Sequence, residues 1–110
     1  MKMVTAVIQP FKLEEVTLEM AAVPGFRGMT VSDARGFGRE HPEGLPDRLE
    51  DLTDFKPCVR VEMVVADKLL KTVVKRLVRA AHTGRKGDGI VVVRDLEEFY
   101  SIRKPPEELL

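Results

Sequence analysis

Along the chain the spacing of apolar residues switches between period two and period 3.6, and each switch predicts an element. The run "KMVTAVI", Lys2 to Ile8, is β-rich and closed by Pro10, which predicts a strand. Leu13, Val16, Met20 and Val23 then recur at helical spacing until "VPG" stops them. "GMTVSDAR", Gly28 to Arg35, and "CVRVEMVV", Cys58 to Val65, read as strands, the second with Val59, Val61, Met63 and Val65 alternating against Arg60 and Glu62. Asp67 is placed to cap a second helix with an apolar stripe of Leu69, Leu70, Val73, Val74, Leu77 and Ala81. Lys71, Lys75, Arg76 and Arg79 form its solvated side. "IVVV", Ile90 to Val93, makes the fourth strand, and Asp95 after it reads as another cap. The tail "KPPEELL" carries Pro105 and Pro106, which keep it from continuing regular structure.

The resulting order, β-α-β-β-α-β, predicts an α+β fold: a ferredoxin-like sandwich with two helices on one face of an antiparallel sheet. That fold alone names no function. The connection from Gly36 to Pro57 departs from it, being about four times the usual hairpin length. Its acids (Glu40, Glu43, Asp47, Glu50, Asp51, Asp54) outnumber Arg39, Arg48 and Lys56, and Pro42 and Pro46 prevent a long helix through its first half. This long loop reads as mobile, acidic and exposed.

Length narrows the picture to one domain over residues 1–110, with 36–57 as the long loop and its base and 104–110 as a tail. Lysine plus arginine (18) balance aspartate plus glutamate (18), so no global basic field recruits nucleic acid. Cys58 is the single cysteine, which excludes an internal disulfide and suits a reducing cytoplasm. The N-terminal segment has no signal-peptide pattern and no apolar run reaches a membrane span. A cytoplasmic protein is expected.

The chemistry worth explaining lies in "AAHTGRKGDGIVVV", residues 80–93. Gly84, Gly87 and Gly89 are costly to order, and a loop of this kind can present backbone N–H groups to one anion while Arg85 and Lys86 add positive charge. It is not a P-loop: the G-x-x-x-x-G-K-[ST] spacing is missing and the glycines precede a strand. A helix stop with a tight turn is the plainer reading, and the loop alone leaves both open. His41, His82 and Cys58 would form a metal site only if the fold gathered them with carboxylates; surface histidines are the simpler reading, and no metal is expected. Phe11, Phe37, Phe55 and Phe99 read as core or subunit-interface packing. No nucleophile-and-base pair is recognisable, so no catalytic residue and no enzyme is expected.

"QPFKLEEV", "GMTVSDARGFGRE", "VRVEMVVAD" and "TGRKGDG" occur in the order and near the spacing of the PII signal-transduction family, which the chain resembles over most of its length. The resemblance implies a homotrimer with an adenine nucleotide in each cleft between subunits and a long loop that reports to a partner protein. The apolar content also favours assembly, since a monomer this short would struggle to hide it. By the same resemblance Thr30 and Val64 lie near the adenine. Gly36, Phe37, Gly38 and Arg39 lie on the ribose and phosphate side, and Arg85, Lys86, Gly87, Asp88, Gly89 and Arg103 around the phosphates. Replacing Gly87 or Gly89 is then expected to harm binding more than folding.

The departures from that pattern fall on charges. Ile90 stands where the resemblance leads one to expect lysine and Ser101 where it leads one to expect arginine, each removing roughly 1.5–3 kcal/mol of charge-assisted contact when desolvated. ADP or AMP is therefore favoured over ATP as ligand, with no resident cofactor. Glu40 in place of glutamine and Cys58 in place of lysine disfavour magnesium and 2-oxoglutarate, and the long loop has no tyrosine to modify. Arg39, Arg48 and Arg60 are the cations for a second anion site, with bicarbonate the candidate ligand. A membrane transporter or a carbon-metabolism complex is the candidate partner. Two alternatives stand beside this reading: a metal-tolerance trimer, and a small acyl-phosphate hydrolase, which lacks the needed asparagine.

Overall fold

The computed structural model describes residues 1–38 and 55–110. Strand β1 spans Lys2–Ile8, helix α1 Leu13–Ala21, β2 Thr30–Gly36, β3 Lys56–Val65, helix α2 Leu70–Ala81 and β4 Gly89–Asp95. The sheet order is β2-β3-β1-β4 with every neighbouring pair antiparallel, so the expected ferredoxin-like α+β sandwich is the observed fold. The strand connection between β2 and β3 covers residues 37–55.

Period two decides which face of the sheet is covered. Val4, Ala6 and Ile8 of β1 stand opposite Met63, Val61 and Val59 of β3, and all six are buried. Against them pack Val16 and Met20 of α1, Val23 just past it, and Val73, Leu77, Ala80 and Ala81 of α2. The helical spacing read from the sequence thus points these side chains into one core. Lys71, Lys75 and Arg79 of α2 are exposed and Arg76 half-buried, as an amphipathic helix requires. The alternate residues, including Thr5, Val7, Arg60, Glu62 and Val64, lie on the face without helices.

Both helices enter through a 3₁₀ turn, Pro10–Lys12 before α1 and Asp67–Leu69 before α2, and neither start has a side-chain cap. This corrects the expectation for Asp67, whose carboxylate accepts from the Met1 ammonium at 2.9 Å. The second expected cap, Asp95, ends β4 beside its strand partner Lys2 and accepts from the lysine ammonium. For Asp67 the Met1 ammonium competes better than the helix end one turn away, and for Asp95 no helix follows within the next ten residues. Of the two readings given for the aromatics, core packing is not met: Phe11, Phe37, Phe55 and Phe99 are all exposed in this chain. Short β-branched and aliphatic residues already fill the layer between sheet and helices. The tail forms one 3₁₀ turn, Glu107–Leu109, directly after Pro106.

Candidate functional site

The antiparallel register sorts the candidate residues into two groups at opposite ends of the sheet. Ile8 of β1 faces Gly89 of β4, and Gln9 just beyond it donates through Nε2 to the Gly87 carbonyl, so the glycine-rich loop sits at the Ile8 end. Gly36 closes β2 at that same end, opposite Lys56. Phe37 packs its ring on Phe55 with centroids 5.7 Å apart, clamping the two stems of the long connection. Gly38 is the last described residue on the β2 side of that connection; Arg39 and Arg48 lie outside the described residues, as do Glu40 and His41.

Thr30 and Val64 occupy the other end. Val64 faces Met3 and Thr30 faces Glu62, and together they line an open cleft of about 540 Å³ with Arg27, Gly28, Met29, Met63 and Phe99. Arg103 follows on the segment that leaves β4 beyond Asp95 and is exposed. From Met3 to Ile8 is five steps along β1, about 17 Å at the usual strand rise. One chain therefore does not bring Thr30 and Val64 together with Gly87 and Gly89. Arg27 and Phe99 were not legible as site residues, because they lie outside the strands, and their meeting at this cleft depends on the path of the segments before β2, where Gly28 has φ +114°, and after β4.

The glycine-rich loop is wound around its own carboxylate. Asp88 accepts from the Thr83 N–H at 2.8 Å, from the Gly84 N–H at 2.9 Å and from the Thr83 hydroxyl. The Arg85 N–H donates to Thr83 Oγ1 at 3.1 Å, and His82 Nδ1 stands 3.6 Å from Asp88. Three backbone N–H groups that the sequence offered to a bound anion are thus already engaged. What the loop presents outward is the side chains of Arg85 and Lys86, both exposed and neither in an ion pair with a described residue. The thiol of Cys58 is half-buried, and among the described residues no three His, Cys, Asp or Glu gather as a metal site.

Arg60, expected at the second anion site, donates to Glu62 at 2.8 Å on the helix-free face. Thr5 donates to the same carboxylate at 2.9 Å, and Arg94 lies 3.8 Å from it. The arginine hydrogen bond first, and the Thr5 hydroxyl next, hold Glu62 below its ordinary value of 4.5. Asp88 is held below 3.8 first by the Thr83 hydroxyl, then by the Thr83 and Gly84 N–H groups.

Lowered carboxylate values mean that the unfolded chain binds protons first, so this stabilisation is present at neutral pH and lost as pH falls. The melting temperature is expected to hold down to about pH 5 and to drop below about pH 4.5. Thr83→Ala, lacking the main partner of Asp88, should show a deficit at neutral pH that shrinks in acid. Circular dichroism melts of both proteins across this range check it; a deficit independent of pH would separate Asp88 from loop stability.

Comparison with known proteins bears on the whole of this arrangement. Residues 1–105 match the family described as Nitrogen regulatory protein P-II. The chain belongs to the P-II family. Nitrogen regulatory protein P-II of Azospirillum brasilense is 44% identical over 105 residues, covering 94% of this chain and 92% of that protein. Nitrogen regulatory protein P-II 1 of Escherichia coli strain K12 is 42% identical over 110 residues, covering 98% and 96%. The Klebsiella oxytoca P-II protein matches at the same 42% over 110 residues. In this P-II chain the two positions that lack a cation expected for the phosphates are an exposed isoleucine, Ile90, and a serine, Ser101, whose hydroxyl accepts from the Lys104 N–H at 3.2 Å and so serves a turn. Among the described residues no helix is long and apolar enough to cross a membrane.

Proposed function

We propose that this P-II protein is a non-enzymatic cytoplasmic regulator that binds ADP or AMP, in preference to ATP, between neighbouring copies of a homotrimer. The observation that carries the proposal is the division of the candidate residues. One end of the sheet offers an open cleft lined by Thr30, Val64 and Phe99; the other, about 17 Å along β1, offers the loop with Arg85 and Lys86. A nucleotide contacting both kinds of group needs the cleft of one copy beside the loop of the next. The exposed Phe11, Ile90, Val92, Phe99 and Tyr100 are apolar surface that such an assembly would cover. Gly36 and the Phe37–Phe55 clamp tie the loop end of the sheet to the long connection, so nucleotide binding there biases what residues 37–55 present to a partner, for which a transporter is the candidate.

Light scattering with calorimetric titration tests this. The expected result is a trimer mass, one nucleotide per chain, ADP and AMP binding at least as tightly as ATP, and little gain from magnesium or 2-oxoglutarate. A monomer that still saturates with one nucleotide would end the shared-cleft reading. Strong magnesium-dependent synergy between ATP and 2-oxoglutarate would end the reading of the missing cations.

A further inference from the structure

We infer that Arg27 is a nucleotide-binding residue of this chain and that it grips the base, not the phosphates; the inference rests on the nucleotide reading above. Its guanidinium carbon lies 5.8 Å from the centroid of the Phe99 ring, so the side chain is held across the cleft that Thr30 and Val64 line. Neither Arg27 nor Phe99 is buried, and Arg27 forms no ion pair with a described residue. The planar cation is therefore not spent on a carboxylate of its own chain.

The walls decide which part of a nucleotide suits it. Met3, Met29, Val64 and Phe99 make the cleft largely apolar, which fits a flat heteroaromatic ring better than a hydrated phosphate chain. Glu62 at the same cleft brings only acceptor oxygens, and Arg60 and Thr5 already donate to them, so none of the three is offered to a phosphate. A planar guanidinium beside an aromatic ring in an open cleft can stack on a second π-system that enters it, a contact that arginine provides and lysine does not. Arg27 would thus stack on the adenine while Thr30 and Val64 border its edge.

The test is titration of wild type, Arg27→Gln and Arg27→Lys with AMP, ADP and adenosine, with thermal melts as a check on folding. Loss of a stacking partner is expected to weaken all three ligands by a similar factor, roughly tenfold, in both variants. Melting temperatures should stay near wild type, because Arg27 is exposed. Nucleotide affinity unchanged in both variants overturns the assignment while leaving the nucleotide reading intact. A loss that grows from adenosine to ADP and is rescued by lysine overturns the base contact in favour of a phosphate contact. Failure of wild type to bind any adenine nucleotide overturns the nucleotide reading and Arg27 with it.

Discussion

Gly89→Ala is expected to destabilise the sheet strongly, not merely to weaken ligand binding. A Cβ at position 89 would lie 1.8 Å from the Val7 carbonyl oxygen and 2.8 Å from its carbon, both backbone atoms of the central strand. The φ of +107° adds strain of its own for any residue with a side chain. Relief requires β4 to move off β1 at its first pair, Ile8 with Gly89. The cost should reach at least about 3 kcal/mol, a large part of the stability of a small domain. Gly87→Ala provides the contrast. There φ is +91°, but the nearest atom is Gln9 Nε2 at 3.0 Å, the end of a flexible side chain that can turn away. Its cost should stay near 1–2 kcal/mol. Urea denaturation of the two variants measures both. Equal midpoints would mean that β1 and β4 do not meet as described. Gly89 is thus held first by backbone contact, which corrects the expectation that its replacement harms binding more than folding; for Gly87 that expectation stays a prediction.

Ile90→Lys combined with Ser101→Arg should move preference toward ATP by a factor on the order of a hundred. Each cation placed against a phosphate contributes roughly 1.5–3 kcal/mol when desolvated, less where the tail stays wet, and every 1.4 kcal/mol is tenfold. Ile90 is 61% exposed next to the glycine-rich loop, so a lysine there has room without disturbing the core. Ser101→Arg gives up only the exposed bond from the Lys104 N–H. Competition between ATP and ADP, measured by calorimetry on wild type and the double variant, reads the change. An unaltered ratio would place the phosphates away from both positions.

Residues whose burial follows from a simple period were legible in the sequence. The Lys2–Ile8 strand, the alternation of Val59, Val61, Met63 and Val65, and the stripe of α2 all follow from one face packing on one core. Strand ends were less legible: β3 begins at Lys56, two residues before the expected start at Cys58, because pairing with Gly36 extends it. Asp67 had the composition of a cap, yet a charge from the start of the chain took its carboxylate. Asp88 was read among ligand-binding residues, and only the folded loop reveals that it binds its own backbone. The motifs led to the P-II family, but the partition of Thr30 and Val64 from Gly87 and Gly89 depends on register, which no single motif encodes.

The central position of β1 has a consequence for how the chain reaches this state. Of these four strands β1 leaves the ribosome first, and both of its partners lie far downstream, β3 at residues 56–65 and β4 at 89–95. Neither hydrogen-bonded edge of β1 can close locally, so its Val4, Ala6 and Ile8 stay without their layer until most of the polypeptide has been made. Pairings of such long range make the folding nucleus entropically expensive and slow to form. During synthesis the apolar N-terminal strand is thus the segment most in need of shielding, and the arrival of β4 is the event that ends its exposure.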